Sequence, residues 1–278
     1  MGLGNMGAAL ASTVLSRNGH VTVWNRTASK ADKLVAAGAT LAGSAAEAIA
    51  ATDFCIVCVG NYEHTKEIVR ASADLSGKVL VQLSTGSPGE GEALQKWANE
   101  RGARYLDGVI LAYPSDIGHA GTMIVYAGDR DGWDACEQAL MQLAGASRYV
   151  GTNLAAPVAL EYALTGSLLM AIIGLMPGVL AVERAGVDVA LLSELIADSG
   201  PLFVKAMKSQ VDAIAQNRFT NPEAMLGTWS AGIDHFPDGP DPDIDLIRPV
   251  RVLLRRAVAA GYGTEELAAV IKVLRECS

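Results

Sequence analysis

The chain has 278 residues, half of them hydrophobic, and a formal net charge of −8 with no cluster of lysine or arginine. That length can bury a large core, as one big domain or two of ordinary size. The acidic balance argues against nucleic acid and against an anionic membrane surface as partners. No basic stretch followed by an apolar one opens the sequence, so no secretory signal is expected. The four cysteines, Cys55, Cys58, Cys136 and Cys277, are few and scattered, as in a reduced, cytoplasmic protein.

The sequence opens "MGLGNMGAAL", in which Gly2, Gly4 and Gly7 have the G-x-G-x-x-G spacing of a dinucleotide-binding turn. Ala8, Ala9, Leu10, Val14 and Leu15 continue it as an apolar helical face. The strand that should lead into such a turn is missing, so the first strand reads as truncated. Strand and helix signals then alternate. "HVTVWNR" is a strand, "SKADKLVAAG" a helix ended by glycine, "AAEAIAA" a short helix and "DFCIVCVG" a strand. Next come a helix at "EHTKEIVRAS", a strand at "KVLVQLST" and a helix at "PGEGEALQKWANERG". "RYLDGVIL" and "TMIVYAGD" are strands, and "WDACEQALMQLA" is a helix. Such alternation predicts a doubly wound, mostly parallel sheet covered on both faces, with ligands at the carboxyl ends of its strands. Cys55 and Cys58 spell C-x-x-C, but three positions apart on a strand they face opposite ways. They are expected to be core residues, and no metal site is expected.

After "SRYVG" the strands stop. From Tyr162 to Val182 no residue is charged, a run long enough to cross a bilayer. Its ends carry Glu161, Glu183 and Arg184 without a positive-inside bias, and Pro177 and glycines interrupt it. A core helix buried against a second copy of the chain fits this better than a membrane span. Amphipathic helices around 188–215 and 245–275 follow, separated by "FPDGPDPDID". The chain therefore divides into 1–150, a Rossmann-type dinucleotide domain, and 151–278, an all-helical domain for dimerisation, to which the resemblance given below adds a substrate role.

The strand "HVTVWNR" should end beside the adenosine ribose, where NAD sites usually place an acid. Here Asn25, Arg26, Thr27 and Lys30 occupy that stretch. A guanidinium, a hydroxyl and an ammonium suit the 2′-phosphate of NADP; a solvated basic turn is the plainer alternative. The expected cofactor set is Gly2, Gly4, Asn5, Met6 and Gly7, then Asn25, Arg26, Thr27 and Lys30, with Val59 and Thr85 at strand ends.

The opening "GLGNMG", "VWNRT" and the helical second half resemble the β-hydroxyacid dehydrogenase superfamily. "VILAYPSDIG", "IVYAGD" and "RAVAAGYGTEELAAVIKVL" are similar, within it, to the NADPH-dependent imine reductases. This resemblance covers essentially the whole chain. It implies a homodimeric enzyme that reduces imines, notably cyclic ones, to amines by hydride transfer from NADPH. The hydroxyacid dehydrogenases carry "LDAPVSGG" to hold a substrate carboxylate, where this chain has "LDGVILAYP". Their catalytic lysine falls at Leu160, and no lysine lies between Lys96 and Lys205. One position on, where imine reductases have Asp or Tyr, stands Glu161, with Tyr162 beside it. Either could serve the substrate nitrogen, Glu161 by favouring the iminium charge and Tyr162 by a hydrogen bond. Leu169, Trp229 and His235 are the expected substrate contacts, the last two supplied by a partner subunit. A hydroxyacid-type dehydrogenase, or an NADP-binding protein without turnover, are the rival readings.

Overall fold

A computed structural model describes residues 1–17, 19–70, 75–236 and 245–277. Two compact units divide the chain, Met1–Ser167 and Leu168–Ser278. The "FPDGPDPDID" separator lies for the most part outside the described residues.

In the first unit, helix α1 (Asn5–Ser16) begins on Gly4 and buries Gly7, Leu10 and Ala11. Two short strands, β1 (Thr22–Val23) and β2 (Thr40–Leu41), pair in parallel as a sheet of their own. A five-stranded sheet runs in the order β3 (Phe54–Val57), β4 (Val79–Gln82), β5 (Arg104–Leu111), β6 (Met123–Gly128) and β7 (Arg148–Tyr149). Among the described residues no strand precedes α1. Instead the Met1 carbonyl accepts from the Cys58 amide at 3.0 Å and the Gly2 amide donates to the Trp24 carbonyl at 3.1 Å. The glycine turn is thus strung between the ends of β3 and β1.

The sheet is parallel apart from β5 against β6. That reversal has a local cause. The 112–122 connection holds a single 3₁₀ turn at Pro114–Asp116, and a parallel return needs a longer crossover, usually an α-helix. Helices α2 (Asp32–Ala36), α3 (Ala45–Ala50), α4 (Tyr62–Val69), α5 (Pro88–Asn99) and α6 (Arg130–Leu143) fill the other connections. Their starts are written in the sequence. Ser44, Asn61 and Asp129 each accept from a backbone amide of the first turn, and Ser87 with Glu90 closes a full capping box behind Pro88. One core packs Leu10, Val81, Leu106, Ile124, Trp133 and Leu140 together; the other packs Val57, Tyr62, Leu80, Leu94 and Tyr105. Both faces of the sheet are therefore covered, as the alternating pattern predicts.

After β7 the chain becomes helical. Helix α7 (Ala155–Glu161) passes into one π-helical turn at Tyr162–Gly166, and α8 (Ser167–Arg184) follows. The helical run Ala155–Arg184 has a mean hydropathy of 2.0 in its most apolar stretch, none of it buried within this chain. By length and composition it could also cross a membrane. In the second unit, α9 (Val189–Ala215), α10 (Leu226–Ile233), α11 (Arg248–Ala257) and α12 (Val270–Arg275) build a small core around Ala213, Phe219, Leu226, Leu254, Ala257, Ala269 and Val273.

Candidate cofactor and substrate site

At the carboxyl ends of β1 and β3 lies a cavity of about 900 Å³, large enough for a dinucleotide. Gly2, Leu3, Gly4, Asn5, Met6 and Gly7 form its floor. Gly2 has a positive φ of 83°, and a Cβ there would run into the Cys58 carbonyl. A Cβ on Gly7 would run into the Gly2 carbonyl, so those two glycines close the turn. Gly4 is different. It is exposed, and a Cβ there would meet nothing within 4 Å. The open space in front of it faces the amino-terminal end of α1, where unpaired amides and the helix dipole favour a phosphate. The shape and donors fit the pyrophosphate of a dinucleotide.

Asn25 lies two residues beyond the end of β1 and works inward. Its Oδ1 accepts from the Leu3 amide at 2.9 Å, and its Nδ2 donates to the Thr27 carbonyl at 2.9 Å. The glycine turn is thereby clamped to the segment carrying Arg26, Thr27 and Lys30, all three exposed on the cavity rim. Among the described residues neither Arg26 nor Lys30 has an ion-pair partner, so both charges are free for an anion. Every expected cofactor residue except Thr85 lines this cavity. Gly43, Ser44, His64 and Glu67 line it as well, and sequence reading missed them. They enter from the turn leading into α3 and from α4, and only the crossover geometry brings them in.

A second cavity of about 260 Å³ adjoins the first, sharing Met6, Cys58 and Val59. Its other walls include Tyr62, Ser84, Thr85, Gly86, Gly108, Val109 and Glu161. The Ser84 hydroxyl accepts from the Val59 amide at 2.9 Å and ties the ends of β3 and β4 together. Thr85 and Glu161 are thus brought together. Tyr162 is not: its side chain is 82% exposed in this chain, on the π turn. Cys55 is buried, whereas Cys58 is half-buried and borders both cavities, rather than sitting in the core as its strand context suggests. Leu169, Trp229 and His235 all belong to the second unit, where each is exposed. Among the described residues no group of side chains could hold a metal ion.

Behind the second cavity sits a buried acid. Asp107 on β5 accepts from the Tyr62 hydroxyl at 2.7 and 2.8 Å and from the Tyr105 hydroxyl at 3.0 Å. Burial pushes its carboxyl up to about 6 against the opposing pull of the two tyrosine donors. Burial and the neighbouring carboxylate push both tyrosines upward too, so they stay protonated as donors.

Comparison with known proteins agrees with this geometry. Residues 1–151 match the NAD binding domain of 6-phosphogluconate dehydrogenase. The chain is 29% identical to an NADPH-dependent reductive aminase of Aspergillus oryzae, over 99% of this chain and 95% of that protein. Its fold resembles that of an imine reductase from Pseudomonas sp., with a TM-score of 0.87 and 29% identity over 98% of this chain and 97% of the other. An imine reductase from Myxococcus stipitatus in complex with NADP+ gives a TM-score of 0.86 at 29% identity, over 98% of each chain. The match spans more than half of the chain and contains the glycine turn and the dinucleotide-sized cavity described above, and the chain belongs to the family of the NAD binding domain of 6-phosphogluconate dehydrogenase.

Proposed function

We propose that this chain is an NADPH-dependent reductase of C=N bonds, turning imines, cyclic ones among them, into amines. The observation that carries the reading is the second cavity. Its lining holds one carboxylate, Glu161, and among the described residues no lysine or histidine. Reduction of a ketone needs a group that hands a proton to the forming alkoxide. An iminium already carries its proton and positive charge, so the protein need only place an anion near it. A lone carboxylate with no lysine or histidine beside it meets that need, which is why a hydroxyacid-type dehydrogenase fits less well.

The residues of the first cavity fit NADPH, with the turn amides toward the pyrophosphate and Arg26 and Lys30 toward the 2′-phosphate. When bound, the cofactor supplies a hydride from its nicotinamide. Met6, Val59 and Thr85 would border the nicotinamide, since Met6 and Val59 line both cavities and Thr85 lines the inner one. The direct test is NADPH consumption against a panel of cyclic imines and hydroxyacids. Turnover of the imines supports the reading; turnover confined to hydroxyacids overturns it.

Cofactor choice gives a sharper expectation. NADPH binds better than NADH, and Arg26→Ala weakens NADPH while leaving NADH nearly unchanged. Loss of one charge-assisted phosphate contact is worth about 1.5–3 kcal/mol. Fluorescence titration with both cofactors measures this, and equal affinity of the parent protein for the two would sink it.

The functional unit we propose is a homodimer, with cytoplasmic placement inferred from the sparse cysteine usage. Support comes from the uncovered apolar residues of the helical unit, including Met170, Ile173, Leu202, Phe203, Val204 and Val211. Exposed apolar surface this extensive marks an interface. The protein should stay in solution without detergent and sediment as a dimer. A stable monomer, or recovery in the membrane fraction, would contradict that. Trp229 and His235 remain proposed substrate contacts from the partner copy.

A further inference from the structure

The acid behind the second cavity has no part in the reaction as derived so far. Asp107 is only 3% exposed, and no cation lies within ion-pair distance of it among the described residues. Its neighbours are fitted closely around it. Gly91 on α5 approaches so tightly that a Cβ there would stand 2.6 Å from Oδ2 of Asp107. Tyr62, the residue that joins Asp107 to the cavity wall, lies against Gly86, where a Cβ would run into its ring. Arg104, on the same strand, pairs instead with Asp129 and Asp131 at 3.6 and 4.0 Å. The charged and titratable groups around the acid are thus Tyr62 from α4, Tyr105 from β5 and, beside Tyr62, Glu90 of α5.

A buried carboxylate without a cation is costly, and the two hydroxyl donors together with the Gly108 backbone offset only part of the cost. The sign of its effect on folding follows. Its proton is held more tightly in the folded chain than in the unfolded one. Its contribution to stability is therefore complete below the usual carboxylate value of 3.8 and is lost as pH rises through about 6. At neutral pH this acid does not help the fold.

We propose that the Asp107 carboxylate is a fixed negative charge behind the substrate cavity, held in place by Tyr62 and Tyr105, which makes that cavity prefer cationic ligands over neutral ones of the same shape. The proposal rests on the C=N reading for its use, since an iminium is the cation that would profit. Asp107 touches no reacting atom in this scheme; it acts through the field across the Tyr62 wall. The field of a charge this deeply buried is screened far less than that of one at the surface.

The test compares a cyclic secondary ammonium, pyrrolidinium, with the neutral ring cyclopentanone, both binding to the protein saturated with NADP+. In the parent protein the ratio of their affinities should favour the ammonium and should fall as pH is lowered through about 6. Asp107→Asn keeps the shape and can still bond both tyrosines. It should cut ammonium affinity about tenfold, leave cyclopentanone unchanged, and melt no earlier than the parent at pH 7.5. An unchanged ratio, or an equal loss for both ligands, overturns the proposal. Should Asp107→Asn fail to fold, Tyr62→Phe replaces it. Loss of one donor raises the carboxyl further, so the ammonium preference should weaken at pH 7 toward what Glu161 alone supplies and recover at higher pH; a pH-independent ratio overturns the proposal equally. If the parent protein turns over no imine, the C=N reading falls while the ligand ratio still decides the role of Asp107.

Discussion

Glu161→Gln lowers turnover of a cyclic imine about a hundredfold, by analogy with the loss of one preorganised electrostatic contact, while NADPH affinity stays nearly unchanged. Glu161 lines the inner cavity and is absent from the lining of the large one, so the two effects separate by geometry. Glutamine keeps the volume and removes the charge. Tyr162→Phe should be much milder, because that side chain is 82% exposed in this chain. Single-turnover measurements with saturating NADPH check the ranking. If the tyrosine change proves the more damaging, the substrate nitrogen is served by Tyr162; if neither matters, the inner cavity is not where the imine binds.

The second large effect distinguishes two glycines three residues apart. Gly7→Ala should destabilise the first unit by about 1–3 kcal/mol or more, because its Cβ runs into the Gly2 carbonyl, a backbone atom that cannot swing away. Gly4→Ala should fold almost normally. Its φ of −69° and ψ of −177° suit alanine, and a Cβ there meets nothing within 4 Å. The methyl would instead fill the space where the pyrophosphate must approach the helix terminus. Loss of one or two charge-assisted bonds there weakens NADPH about tenfold to a hundredfold. Thermal melts with and without NADPH read both: Gly7→Ala lowers the midpoint in both conditions, and Gly4→Ala lowers only the increment that NADPH adds. A Gly4→Ala protein that binds NADPH normally would place the pyrophosphate elsewhere.

Much of the first unit was legible because its signals are local. The Ser87–Pro88–Glu90 cap, the glycine ending the helix at Gly38, and the apolar Val79–Leu80–Val81 of β4 each need only near neighbours in sequence. The glycine turn and the Asn25–Lys30 stretch were legible for the same reason. What stayed hidden depends on pairing at a distance. Strand β2 is two exposed residues held by its partner β1, and nothing in Thr40 or Leu41 announces it. Helix α10 and the π turn after Glu161 have no punctuation of their own. Asp107 stood out in sequence only as the residue before a lost carboxylate-binding motif. Its burial among two tyrosines requires α4, α5 and β5 to be assembled first.

The Asn25 clamp has a consequence for how cofactor preference can change. The position where an NAD enzyme would put its ribose-binding acid is here a fastener between the glycine turn and the rim loop. An aspartate at 25 could still accept from the Leu3 amide but could not donate to the Thr27 carbonyl, so the rim would come loose as the new acid arrived. Recognition of the ribose and tethering of the loop thus compete for one side chain. A route toward NADH that begins at Arg26 and Lys30 leaves the fastener intact; one that begins at Asn25 must rebuild it.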